Sequence, residues 1–258
     1  MGKKSLVAIC LVALSALAFC AWIWGPHFLQ NGPSKEATCR NPIIYWGDRK
    51  ALDPDRKFRI DVGPYRFAVP WKYLQPRPAN DLAECKIKTN SKGLGVQFWV
   101  PDGKAPERDM FWRPEFNPPE KDRPNPGPDE WVISVEEIVY YENEPLAEVN
   151  PDLRINNLLR QYGKHVLLDK DGDLTLIRSS EDPNRQMNWF RIEPDQSLFF
   201  SCLGSDERRL CQGYLDMKDK HLAVYLTVPG RAIYMHATTV SILRSLLQGW
   251  ELSHSPIQ

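Results

Sequence analysis

A chain of 258 residues with 42% hydrophobic side chains and 22 prolines is long enough for one large domain or two small ones, each with its own core. Its 33 basic and 33 acidic residues cancel, which removes the strongly basic face that nucleic-acid phosphates reward. Six cysteines with no C-x-x-C among them exclude the paired spacing of a zinc ribbon.

Taken in chain order, Met1-Gly2-Lys3-Lys4 leads into an apolar run from Leu6 to Trp24 in which nothing ionises. As a helix that run rises roughly 28 Å, close to the ~30 Å hydrocarbon core of a bilayer. Lys3 and Lys4 stand before it and the next basic residue is Lys35, so the N-terminus is expected in the cytoplasm and the rest of the chain outside. Residues 1–25 are thus a signal or transmembrane segment. Ala16-Leu17-Ala18 offers a cleavage site, which leaves release and retention as anchor both open. Cys20 raises lipidation as a third course, against which Phe19 stands where a lipoprotein signal wants a small residue. Without Lys3 and Lys4 the exported part keeps 31 of the 33 basic residues against 33 acidic ones, a net charge of about −2.

Residues 26–54, broken by Pro26, Pro33, Pro42 and Pro54, read as a tether. The alternation of Phe58, Ile60 and Val62 with Arg59 and Asp61 predicts a strand over 57–62. Gly63-Pro64 turns the chain into a returning strand, Tyr65 to Val69. A further strand is expected over 94–101. Its pattern, L-x-V-x-Φ-x-V-P, recurs at 222–229, which suggests two related halves, 55–142 and 143–258. Between the two occurrences the stretch 101–130 carries eight prolines, and it is expected as a long extended loop within the first half.

Trp131 to Tyr141 reads as a strand whose face Glu136-Glu137 leaves ambiguous. Asn150-Pro151 predicts an N-cap and first helical residue, with Gly163 ending that helix. A hairpin is expected from 164–168 and 173–177 around Lys170-Asp171-Gly172. Strands follow over 189–192, 198–202 and 212–217. The last element is an amphipathic helix over 232–248 with Ile233, Ala237, Val240, Leu243 and Leu247 on its face and Trp250 beyond its end. The fold class is therefore α+β, antiparallel strands with a few packed helices, following an N-terminal membrane segment.

Four cysteines lie outside the apolar run. In an oxidising compartment they suggest two disulfides with three possible connectivities. Cys202 with Cys211 is preferred, since the short intervening LGSDERRL suits a hairpin loop, and Cys39 with Cys85 then follows.

Recognisable catalytic motifs are missing: the chain has no G-x-S-x-G, no H-E-x-x-H and no phosphate-binding glycine loop. The reading is therefore not an enzyme, with no catalytic residues, no cofactor and no metal. His165 near Asp169, Asp171, Ser179 and Ser180 permits a triad only in the sense that any chain this long does. Asp169-Lys170-Asp171-Gly172-Asp173 begins like a calcium loop but puts glycine fourth and Ser180 twelfth, so it reads as a polar turn. His221 and His236 have no ligand partners at recognisable spacing and are expected at the surface or the core's edge.

Material for protein recognition stands out instead. Arg108, Phe111, Trp112, Arg113 and Phe116 cluster among the prolines of the 101–130 loop. Aromatics and arginine supply hot-spot contacts, and proline lowers the entropy lost on ordering a loop. The bland alternative is that Trp112 and Phe116 fold back over the domain's own core.

The sequence Leu198-Phe199-Phe200-Ser201-Cys202, the short loop to Cys211, the strand to Pro229 and the terminal helix to Leu247 and Trp250 resemble exported immunity proteins encoded beside type VI secretion effectors. Tyr65 to Leu74, YRFAVPWKYL, is similar to an aromatic, apolar, Pro, Tyr-Leu stretch of that group, and Gly95 to Asp102 and Asp169 to Leu174 add shorter matches. The resemblance implies a non-enzymatic inhibitor in the bacterial periplasm that binds a lipase effector, of the phospholipase D type, and blocks its active site. The partner is then that effector, with the membrane engaged through residues 6–24 if they are retained. Competing readings are an envelope-assembly or binding module with another protein partner, and an envelope hydrolase built from dispersed residues.

Overall fold

The computed structural model describes residues 54–77, 93–107, 116–145, 147, 150–182, 186–191, 197–203 and 210–254. All belong to one of the chain's two units, Tyr45–Gln258. The apolar segment 6–24, the tether up to Asp53, Cys39, Cys85, and Arg108, Phe111, Trp112 and Arg113 lie outside the described residues. Among the described residues no helix is long and apolar enough to cross a membrane.

The first hairpin follows its hydrophobic pattern. Strand β1 (Lys57–Val62) buries Phe58, Ile60 and Val62 and exposes the charged residues between them. It pairs antiparallel with β2 (Tyr65–Pro70) through a turn in which Gly63 has φ +57°, where its missing Cβ also makes room for the Tyr140 ring. The C-terminal strand β11 (Glu251–His254) joins β2 on its other side and completes a three-stranded sheet.

The main sheet has eight strands: β3 (Val96–Val100), β4 (Trp131–Tyr140), β5 (Val166–Asp171), β6 (Leu174–Ser179), β7 (Gln186–Arg191), β8 (Leu198–Leu203), β9 (Leu210–Met217) and β10 (Leu222–Pro229). Their order is β3-β4-β10-β9-β8-β7-β6-β5, all neighbours antiparallel. The sheet takes β3 and β4 from before residue 143 and the other six strands from after it. The two strands that share the L-x-V-x-Φ-x-V-P pattern flank β4, and Val96 and Leu226 both lie opposite Val135. The ambiguity at Glu136-Glu137 is a β-bulge: Tyr225 pairs with Glu137 and Leu226 with Val135, so Glu136 is the extra residue and stays exposed.

One face of this sheet forms the main core with the small sheet and the C-terminal helix, burying Phe67, Phe98, Ile133, Val224, Leu243 and Trp250. The other face is covered in two places. Helix α1 (Pro151–Tyr162) lies against β6, β8 and β9, where Ile155, Ile177, Phe190, Phe199 and Tyr214 form a second cluster. Asn150 caps it, its side chain accepting from the Leu153 N–H, and Gly163 ends it with φ +54°. At the β3–β4 end the cover is the proline-rich stretch.

Helix α2 (His236–Trp250) differs from expectation in phase. Residues Gly230–Met235 wind as a 3-10 helix, and that tighter winding turns the following face by part of a residue step. His236, Thr239, Leu243, Leu247 and Trp250 point inward, Ala237 is exposed, Val240 is half-buried, and Trp250 is the last helical residue. His236 is buried, with Nε2 2.9 Å from Asp173 Oδ1. The acidic run at 169–173 forms the β5–β6 hairpin, closed by Asp171 opposite Leu174. Its turn is Gly172-Asp173, which begins two residues later than the expected Lys170-Asp171-Gly172.

Candidate partner-binding site

The proline-rich stretch is not a free excursion at either end. It leaves β3 through a tight turn in which the Gly103 N–H donates to Trp99 O (2.8 Å) and the Trp99 N–H to Lys104 O (2.7 Å). Gly103, at φ +73°, has its carbonyl held by the Tyr73 hydroxyl (3.1 Å). On the returning side Glu120 and Arg123 exchange backbone hydrogen bonds, and the Val132 N–H donates to Phe116 O (2.6 Å) as the chain enters β4. Proline forbids a ladder here, so side chains supply the fixing instead.

Trp99 is the centre of that fixing. Its ring points away from the main core, is 1% exposed, and packs with Val132. The Arg123 guanidinium lies over it at 4.2 Å from the ring centroid. The indole Nε1–H donates to Glu120 (2.9 Å), whose second oxygen accepts the Glu107 N–H (2.7 Å). Glu107 in turn accepts the Lys121 N–H (2.9 Å), which ties the outgoing arm of the loop to the returning one. Arg123 also pairs with Asp102 (2.7 Å) and Glu130 (3.2 Å), and Glu130 accepts the Gly127 N–H (2.6 Å). Burial pushes the Glu120 carboxyl above its ordinary range, against the opposing pull of its hydrogen bonds from Glu107 and Trp99.

A second clamp holds the outgoing arm. Arg77, stacked 5.2 Å from the Trp71 ring, donates to the carbonyls of Glu107 and Lys72 (2.7 Å each) and to that of Pro106. Pro106 and Phe116 are therefore fixed shoulders, and residues 108–115 bridge them. Of the five candidate contact residues, Phe116 is the one described. At 8% exposure its ring is directed into the protein, as the fold-back alternative has it for this position.

Sequence reasoning missed Trp99, Glu120, Arg123, Arg77 and Glu107 as a unit. The charges were visible, but the hydrogen bonds that fix the two arms of the loop join residues 13 to 30 positions apart, and no local spacing encodes that.

One more feature lies in the middle of the sheet, on the far side of β10 from β4. Cys202 and Cys211 lie opposite each other on β8 and β9 and are disulfide-bonded, as expected, with Cα atoms 4.2 Å apart. One residue beyond each, Leu203 and Leu210 are 75% and 46% exposed. Among the described residues no cluster of His, Cys, Asp or Glu could hold a metal ion.

No family model matches the chain, and no curated protein matches it. The structure defines an α+β protein in which a large antiparallel sheet carries a small sheet and one helix on one face and a second helix on the other. Among solved structures it is similar to an immunity protein of the Stenotrophomonas maltophilia type IV secretion system. That likeness has TM-score 0.52 and 14% identity over 81% of this chain and all of that one, and it shows a shared fold. A weaker likeness, TM-score 0.45 and 7% identity over 79% of this chain and 98% of the other, is to the iron-regulated outer membrane lipoprotein FrpD of Neisseria meningitidis.

Proposed function

We propose that the chain is an immunity protein that binds a secreted toxin and occludes its active site. The observation that carries this reading is the clamped loop: Arg77 and Arg123 hold both shoulders of a proline-rich segment on a rigid sheet. Shoulders held this way lose little further entropy when the segment between them meets a partner. The fold shared with a secretion-system immunity protein supports the same role. Within that role we assign the periplasm as the compartment, from the two lysines before Leu6–Trp24 and from a disulfide suited to an oxidising space. The sequence resemblance adds the finer assignment, a type VI effector of the phospholipase D type. The neighbour's own system is type IV, so the delivery route is the part of the assignment that rests on the short motifs alone.

The test replaces residues 108–115 with a short Gly-Ser linker. This leaves Glu107, Phe116, Glu120 and Arg123 in place, whereas a wider deletion would expose Trp99. Cells in which the cognate toxin is directed to the periplasm should lose protection, with purified variant still folded by circular dichroism. Full protection by the variant would remove the loop from the interface. Absence of binding by the wild-type chain to that toxin would remove the immunity reading itself.

A further inference from the structure

Strand β5 ends the main sheet, and among the described residues no strand lies on its outer side. Which of its backbone groups face outward follows from the register. The Ser180 N–H donates to His165 O (2.7 Å), and β5 and β6 pair so that Leu167 is opposite Arg178 and Leu168 opposite Ile177. Bonded pairs alternate along an antiparallel ladder, so His165, Leu167, Asp169 and Asp171 bond inward to β6. Val166, Leu168 and Lys170 turn their N–H and C=O groups to the open edge.

The two ends of that edge are unlike. Near the turn it is blunted: Asp169, Lys170 and Asp171 are charged, and the Lys170 N–H is already taken by Asp169 Oδ1 (2.9 Å). The other end, Val166-Leu167-Leu168, carries no charge, and Leu167 and Leu168 are 39% and 60% exposed on opposite faces of the strand. Open backbone groups alternating with exposed apolar side chains are complementary to another extended strand.

We propose that this strand is β5 of a second copy of the same chain, paired antiparallel about a two-fold axis through Leu167. In that register Val166 meets the second copy's Leu168 and Leu167 meets its own counterpart. The outward groups of Val166 and Leu168 then bond reciprocally, as an isologous contact requires. Asp169 falls beside the second copy's His165, the last residue of the 3-10 turn that precedes β5. That ring's Nδ1 is 3.3 Å from Glu181 Oε1 of its own chain, and its Nε2 is turned to this contact only if the ring reorients. Centring the pairing one step toward the turn would set Leu167 against Asp169, and two steps would set Asp169 against itself. The like pair Lys164 and Lys170 is left at the solvent-exposed rim, so the dimer is weak. The pairing is independent of the toxin-binding reading, since β5 lies at the opposite edge of the sheet from β3 and β4.

The test uses the whole exported domain in sedimentation velocity from about 10 µM to about 1 mM, alongside residue-resolved amide exchange. Leu168→Pro removes an outward N–H and no β5–β6 bond, so the hairpin survives while the pairing is lost. Leu168→Lys reaches the same end without touching the backbone. We expect wild type to show a concentration-dependent dimer, with the Val166 and Leu168 amides slowing in exchange as it forms, and both variants to stay monomeric. A wild type monomeric at 1 mM overturns the proposal. So does a dimer that persists in both variants, or outward amides whose exchange ignores the dimer.

Discussion

Replacing Arg123 with Met keeps an aliphatic stem over Trp99 and removes the charge. Three interactions go. A guanidinium 4.2 Å above a buried indole contributes about 1 kcal/mol, between the exposed and desolvated limits of such contacts. The pairs with Asp102 and Glu130 contribute about 0.5–1 kcal/mol each, toward the upper end for surface pairs because the Arg123 side chain is 13% exposed. Both carboxylates are about one-third exposed and regain water, so little is added for stranding them. The loss should total about 2–3 kcal/mol, read as a fall in the urea midpoint at unchanged slope. A cycle with Asp102→Asn should recover a coupling near 0.5 kcal/mol or more. Arg123→Lys should recover only part of the loss, because an ammonium keeps the charge but has neither the flat face that stacks on the ring nor the planar fork that meets both carboxylates. On the proposed immunity reading, loosening the returning arm should also weaken binding of the partner toxin about tenfold, since ordering then has to be supplied on association. A loss under about 0.5 kcal/mol in the Met variant, with affinity unchanged, would refute the view that Arg123 clamps the loop.

The Glu120 carboxyl is raised, so the folded protein holds a proton there that the unfolded chain releases; the associated stability is present below the ordinary value of 4.5 and is lost as pH rises through the folded one. Glu120→Gln should flatten the stability profile across that window, measured by urea unfolding at stepped pH, and should lower stability above it, because an amide has one acceptor for the two donors, Trp99 Nε1–H and the Glu107 N–H. An unaltered slope in the variant would count against the burial of that carboxyl. Changing Cys202 and Cys211 together to Ala opens a loop spanning nine positions and should cost about 2–3 kcal/mol by chain entropy; the wild type in reductant should approach the variant, and equal midpoints for all three would show that the bond contributes nothing.

Much of this fold was legible in the sequence because its signals are local. The Phe58, Ile60, Val62 alternation, the Asn150 cap with Pro151, and the Gly163 stop each specify an element within a few residues, and each stands where expected. The Cys202–Cys211 bond was readable for the same reason, a hairpin whose two ends are close in sequence. One local reading went astray and one stayed open where winding or register changed. The 3-10 turn before His236 rotated the α2 face away from Ala237. The bulge at Glu136 interrupted the alternation of β4. The clamp at Trp99 could not be read at all, because its partners come from β3 and from both arms of the loop. Alternation also fails as a signal there: every residue of β3 is buried, since both faces of the sheet are covered at that edge.

The main sheet thus ends in two edges treated differently. At β3 the chain adds material: Leu74 bridges to Val96, the Gln75 N–H donates to Gly95 O (3.0 Å), and the proline-rich arms seal Trp99 on the outer face. A segment whose prolines thin out its backbone donors suits that duty, because it can cover a sheet without extending it. At β5 nothing comparable is built among the described residues, and three charges guard the half next to the turn. At the covered edge both arms of a loop are fixed to the sheet, while the uncovered half of β5 keeps hydrogen-bonding capacity that a further strand can take over from water.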